Sequence, residues 1–254
     1  MLSGKQVAVY RLRKSAVTGF AALAFLALAL SVQAQQNLVT NGSFEQTTNG
    51  PGQLGYNTDV TDWTTNGYNF VFAYGTGDTT GSNGQYGNVS FWGPNNGSNN
   101  GFPAGSPDGG NFLGLDGAFD VGPLSQTING LTVGDNYTVN FWWAGAQQFG
   151  FNGATTEQLE VSLGSESFYT VVLQNPSHGF TGWQYQSFTF TAANTSEALS
   201  FLAIGTPSGV PPFSLLDGVS LYAASTVPEP GTLAMMMGGL GTLGFFRSKK
   251  WFKR

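Results

Sequence analysis

Cysteine is absent from the 254-residue chain, and histidine occurs once, as His178. The first absence removes disulfides, thiol catalysis and cysteine-based zinc sites, and the second removes a histidine metal cluster. Positive charge is missing from the middle of the chain. All 9 Lys and Arg lie before Ser15 or after Phe246, while 13 of the 14 acidic residues lie between Glu45 and Asp217. The interior therefore carries a formal charge of −13, although the whole chain shows only −5. Such a body offers no cationic surface to nucleic acid or phosphate and forms no Lys or Arg salt bridge. Any carboxylate it buries must be protonated, held by amides and hydroxyls, or bound to a metal cation.

The cations sit in two end segments that read as targeting signals. Lys5, Arg11, Arg13 and Lys14 precede an apolar run from Ala16 to Leu30, and Val32-Gln33-Ala34 places small residues for cleavage before Gln35. Residues 1–34 are thus expected to be a secretory signal peptide. At the other end, 227–254, Val227-Pro228-Glu229-Pro230 holds the chain extended. The apolar run from Thr232 to Phe246 follows, carrying Gly238, Gly239, Gly241 and Gly244, and then Arg247, Lys249, Lys250, Lys253 and Arg254. As a helix that run reaches about 22 Å against roughly 30 Å of hydrocarbon. It is a short transmembrane helix suited to transient insertion, with its basic tail kept on the cytoplasmic side.

The Val227-Pro228-Glu229-Pro230 punctuation, Gly-rich apolar segment and basic tail, in that order, resemble the PEP-CTERM sorting signal of exopolysaccharide-producing bacteria. The resemblance implies processing by an exosortase near the Pro-Glu-Pro. It also implies export through the inner membrane and delivery to the cell surface or extracellular matrix.

Between the two signals the hydrophobic period is two. Tyr137, Val139, Phe141 and Trp143 share one face; Leu159, Val161 and Leu163 share another, as do Phe188 with Phe190, Leu199 with Phe201 and Ala203, and Val219 with Leu221. Each run predicts a half-buried strand. Asn-Gly and Asp-Gly pairs such as Asn129-Gly130, Asn152-Gly153, Asp116-Gly117 and Asp217-Gly218 supply tight turns between them. Many short strands without a convincing amphipathic helix predict an all-β fold, a single jelly-roll β-sandwich over 35–226. The Asn-, Gly- and Ser-rich stretch from Gly75 to Asn111 reads as long surface loops around one short strand at Val89 to Trp92.

Four segments also resemble carbohydrate-binding-module-like jelly rolls of the galactose-binding type. They are the opening run from Asn37 to Glu45, Asp108 to Leu113, Gly182-Trp183, and the closing run from Leu215 to Leu221. In that fold the first and last strands lie together, which implies that Glu45 and Asp217 meet at one end and hold a structural Ca²⁺. Asp217 shares sequence parity with Val219 and Leu221, so it is expected to point inward or at the rim. The alternative leaves Asp217 shaping a turn with Gly218 and Glu45 accepting backbone amides. Asp108, Asp116 and Asp120 form a weaker second cation candidate, without the alternating oxygens of an EF-hand loop.

Aromatic rings are the candidate sugar contacts, because a flat ring stacks on a sugar face while amides bond its hydroxyls. Trp142 lies opposite the apolar face of its strand, Gln147 and Gln148 follow it, and Trp183 and Tyr185 lie beyond the His178 loop. These five are the glycan-binding candidates, with Trp63, Trp92 and Trp143 assigned to the core. Enzyme signals are poor: there is no Gly-x-Ser-x-Gly elbow, His178 stands alone, and nothing singles out Glu157 or Glu160 as half of a carboxylate pair. The sequence thus predicts a noncatalytic, exported surface or matrix protein whose sandwich engages exopolysaccharide or another glycan. Its charge favours neutral glycans over strongly anionic ones. The alternative is a self-associating structural protein of a biofilm or floc that recognises no particular sugar.

Overall fold

The computed structural model describes residues 35–224, so both targeting signals, 1–34 and 227–254, lie outside the described residues. Strands are the only regular elements among the described residues. In chain order the first seven are β1 (Gly52–Gln53), β2 (Thr64–Thr65), β3 (Asn69–Phe72), β4 (Ser82–Gly84), β5 (Gly87–Val89), β6 (Phe112–Asp116) and β7 (Leu124–Asn129). Seven more follow: β8 (Asn136–Gln147), β9 (Thr155–Leu163), β10 (Glu166–Tyr169), β11 (Leu173–Asn175), β12 (Gln184–Thr191), β13 (Ser196–Thr206) and β14 (Pro212–Ala223).

Twelve of them form two facing antiparallel sheets, and β4 pairs with β5 apart from both. One runs β1-β3-β6-β14-β8-β12 and the other β10-β9-β13-β7-β2, with β11 also paired to β9. All the alternating runs predicted from the sequence lie in strands, and their apolar sides meet between the sheets. Tyr137, Val139, Phe141 and Trp143 on β8 share this core with Leu159, Val161 and Leu163 on β9. Leu199 and Phe201 on β13 and Val219 and Leu221 on β14 complete it. The opening segment runs beside the end of the last strand, as expected: the Leu38 N–H donates to Leu221 O (2.9 Å) and the Val219 N–H to Gly42 O (2.9 Å). Trp63 and Trp143 are core residues, at 5% and 0% exposure.

The stretch from Gly75 to Asn111 departs from its reading as surface loops. The first sheet is apolar on its outer face too, where Phe70, Phe72, Phe112, Ala144, Ala146, Phe213 and Leu215 project away from the second sheet. Phe91 and Phe102 from this stretch, with Val89 of β5, lie down on that face and close a second core. Phe91 packs against Phe72 at 4.7 Å and Phe213 at 5.4 Å between ring centres. A sheet buried on both faces needs near-continuous apolar strands instead of alternating ones. β3, β6 and the first half of β14 are buried throughout. The β4–β5 hairpin sits on this outer layer, and the expected strand at Val89 to Trp92 is shortened to β5 plus an isolated bridge between Phe91 and Gln148.

Trp92 is not a core residue. It is half-buried, its ring stacks on His178 at 3.8 Å and meets Phe149 at 4.6 Å, and its indole N–H donates to Phe151 O (2.9 Å). It sits one position past Phe91, so the alternation that buries Phe91 turns Trp92 outward.

Candidate functional site

A β-bulge decides where Asp217 points. Along the β14–β8 ladder, Asp217 pairs with Trp142 but the next pair is Ser220 with Asn140, so one residue is inserted between them. Gly218 absorbs the irregularity at φ 61°. Parity inverts across the bulge: Phe213 and Leu215 face the outer layer, while Val219 and Leu221 face the inter-sheet core. Asp217 therefore shares the outer side with Phe213, Leu215 and its ladder partner Trp142, whereas parity with Val219 alone places it inward or at the rim.

There the Ser106 loop seals it. The Ser106 hydroxyl donates to Asp217 Oδ2 and the Gly218 N–H donates to Oδ1 (2.8 Å), leaving Asp217 at 0% exposure. Burial pushes the Asp217 carboxyl up to about 8, lowered in part by these two hydrogen bonds and raised further by the charges of Asp108 and Glu45. Glu45 Oε1 accepts the Asn111 N–H (2.7 Å), and Asn111 Nδ2 donates back to Phe44 O (3.0 Å). The fold thus gathers Glu45, Asp108 and Asp217 around one loop. As a donor set, three carboxylate groups with no cationic side chain fit a hard cation. As arranged, Asp217 already has a donor on each oxygen, and no group of three or more His, Cys, Asp or Glu among the described residues is placed to hold a metal. The second expected cluster is separated: Asp116 accepts the N–H groups of Ala118, Phe119 and Asp120 at 2.7–3.2 Å, closing a turn of its own.

Beside the acidic loop lies an aromatic ledge. Trp142 and Tyr185 are cross-strand partners on β8 and β12, with ring centres 5.1 Å apart and planes at 63° in edge-to-face contact. Trp142 is half-buried and Tyr185 is 57% exposed. Trp183 enters the same side of the sheet, half-buried with its ring edge-on to Phe112 at 5.9 Å. Gln147 does not reach this surface. It is fully buried, donating to Gly153 O (2.8 Å) and accepting the His178 N–H (2.5 Å), so it fastens two loops together and has no amide to offer a ligand.

Gln148 instead lines a cleft of about 230 Å³ at the other end of the sheet, with Tyr68, Tyr86, Asn88, Asp116, Phe119 and Phe151. No pattern in the sequence marks this place. Its rings come from four loops and carry no periodicity.

The acid–base inventory is thin. Glu157 and Glu160 are three residues apart on β9, so they project from opposite faces and cannot form a pair. Glu157 is buried, and that burial pushes its carboxyl up to about 7 against hydrogen bonds from Thr155 and Asn175. His178 contacts Asn152 Oδ1 at 2.6 Å through a ring nitrogen and touches no carboxylate there.

Residues 85–219 match the family described as "Protein of unknown function (DUF642)". The chain belongs to the DUF642 family. Residues 226–250 match the PEP-CTERM protein-sorting motif, so this DUF642 chain also carries the signal that implies exosortase processing and display of an exported protein at the cell surface. A curated relative, Halomucin of Haloquadratum walsbyi, is 31% identical over 198 residues, covering 77% of this chain; the chain spans only about 2% of that relative's length. Among solved structures, the TmCBM61 module in complex with β-1,4-galactotriose aligns at 15% identity and TM-score 0.43, covering 74% of this chain and 99% of that one. The CBM22-1 xylan-binding domain of Paenibacillus barcinonensis Xyn10C aligns at 11% identity and TM-score 0.37, covering 78% and 100%.

Proposed function

We propose that the sandwich of this exported, PEP-CTERM-sorted protein is a noncatalytic glycan-binding module that attaches to neutral exopolysaccharide at the cell surface or in the matrix. The observation that carries the reading is the Trp142–Tyr185 ledge, a solvent-facing pair of rings on a rigid two-strand ladder. Exposed rings on strands offer a preformed apolar surface for a sugar face at little entropic cost. Trp183 extends the ledge, and the exposed Asp108 beside Gly218 and Trp142 supplies a hydroxyl acceptor at its rim. Neutral glycans suit a body of charge −13, which repels uronate and sulfate groups.

A structural Ca²⁺ at Glu45 and Asp217 belongs to the same reading. It would neutralise the acidic loop beside the ledge and would be held by those carboxylates with backbone oxygens. Self-association is the second reading, favoured by β12: it ends its sheet and carries no charged residue in Gln184–Thr191, so its edge lacks the usual protection against pairing.

The test is calorimetric titration of the purified protein with soluble galactan, xylan and β-glucan, repeated on Tyr185→Ala and Trp142→Ala. Saturable binding weakened about tenfold or more in both variants, with unchanged unfolding, supports the module. Concentration-dependent oligomers without any glycan signal support self-association instead.

A further inference from the structure

The outer face of the first sheet ends in two places, and only one is the ledge. At the other, β6 finishes at Asp116, β14 begins at Pro212 and the chain leaves β8 after Gln147. The β4–β5 hairpin overhangs this corner, and the cleft of about 230 Å³ opens beneath it. Its floor is rigid: Phe213 and Val89 are at 0% and 1% exposure and belong to the second core.

Three rings form its wall. Tyr68, Tyr86 and Phe119 contact one another with centres 5.6–5.8 Å apart, the two pairs that include Phe119 edge-to-face. Tyr68 is nearly buried, but Tyr86 and Phe119 are 69% and 61% exposed. Two large rings left this far in water beside a concave surface form an apolar patch with a job unassigned by packing. Phe151 adds a fourth ring at the mouth, 38% exposed.

Polar groups converge on the same space. Asn88 donates its Nδ2 to Thr80 O (2.7 Å), which leaves Oδ1 as an acceptor, and Gln148 brings a side-chain amide. Burial raises the Tyr68 hydroxyl above its ordinary value, with the Asp116 carboxylate and then Tyr86 adding to the effect, so it stays a donor. Asp116 itself is locked by three backbone N–H groups and acts at the wall as a fixed negative charge.

We infer that this cleft is a second glycan-binding site, separate from the Trp142–Tyr185 ledge, that seats a neutral sugar residue between its aromatic wall and the Asn88 and Gln148 amides. Rings with amides and hydroxyls are what a sugar's apolar face and its hydroxyls require. The volume lies below the roughly 300–1,000 Å³ that encloses a drug-sized ligand and accommodates about one sugar ring. Asp116 and the absence of Lys and Arg between Ser15 and Phe246 exclude carboxylated and sulfated sugars. Trp142 and Ala146, which pair with Asp217 and Phe213, mark the two sites on β8, so they lie about 13 Å apart along the strand. A protein with two such sites engages polysaccharide with avidity that neither has alone.

This inference shares with the proposed function only the ligand class, and the experiment separates them. The full chain is titrated with neutral tri- and tetrasaccharides of galactose, xylose and glucose, and with oligogalacturonate. Tyr86→Ala/Phe119→Ala and Gln148→Ala probe the cleft, and Tyr185→Ala probes the ledge. The expected result is binding of a neutral oligosaccharide at two sites per chain, one lost in Tyr185→Ala and the other lost in both cleft variants, with none to oligogalacturonate. Neutral-sugar binding that ignores both cleft variants and disappears in Tyr185→Ala overturns the cleft and leaves the ledge standing. Binding to no neutral sugar overturns both. Unchanged thermal unfolding of Gln148→Ala guards against a folding artefact in the double variant.

Discussion

Trp142 and Asp217 face each other across the β8–β14 ladder, at the last paired position before the bulge. This places a half-buried ring next to a sealed carboxyl, so the ledge and the acidic loop share one piece of backbone. Gly218 makes the arrangement possible. Its φ is 61°, and a Cβ there would lie 3.1 Å from Asp108 and 3.2 Å from the Trp142 ring. Gly218→Val is expected to cost about 1–3 kcal/mol, combining left-handed strain with that crowding. Urea unfolding measures it, and an unchanged midpoint would show that the bulge does not depend on glycine.

Stability should fall as pH rises. Asp217 and Glu157 bind protons more tightly in the folded chain, with carboxyls near 8 and 7 against ordinary values near 4. Between about pH 4 and 8 the folded state therefore holds more protons than the unfolded one, and the slope of stability with pH is negative. Each contribution is complete below the unfolded value and is lost as pH climbs through the folded one. The expected outcome is a melting temperature several degrees lower at pH 8.5 than at pH 5.5, with a flatter profile in Asp217→Asn. A profile that rises over this range contradicts the burial of both groups.

Calcium, at the proposed site, would act on the same carboxyl in the opposite sense. At pH 8, where Asp217 is losing its proton, millimolar calcium is expected to raise the melting temperature by a few degrees in the wild type and not in Asp217→Asn. No gain after chelator treatment and calcium addition removes the cation from the account.

The outer core should be as costly to damage as the inner one. Phe91 is at 0% exposure and packs on Phe72, Phe102 and Phe213. Phe91→Ala is expected to destabilise by about 3–5 kcal/mol, comparable with Phe201→Ala between the sheets. A cost below about 1 kcal/mol would mean that the covering segment is loosely held.

The strands between the sheets were legible because one face of each meets the core and the other meets water, which writes a period of two into β8, β9, β12 and β13. The outer core left no such trace. Phe91 and Phe102 sit among Gly, Asn and Ser on irregular backbone, and β6 is buried on both sides, so neither shows alternation. The resemblance implies that Glu45 and Asp217 share one end of the sandwich, where they hold the two ends of the Ser106–Asn111 loop, but the side on which Asp217 points was not legible, because an inserted residue at Gly218 inverts parity without changing composition. Gln147 and Gln148 look alike in sequence; adjacent positions on a strand end send one into a loop junction and the other to the cleft.

The proposed function rests on glycan binding through exposed rings. Its most direct test is titration of the full chain with neutral tetrasaccharides, run beside a variant that combines Tyr185→Ala, Tyr86→Ala and Phe119→Ala. The predicted result is saturable heat for the wild type and none for the variant, both unfolding cooperatively. Equal binding by the two proteins, or none by the wild type, would contradict it.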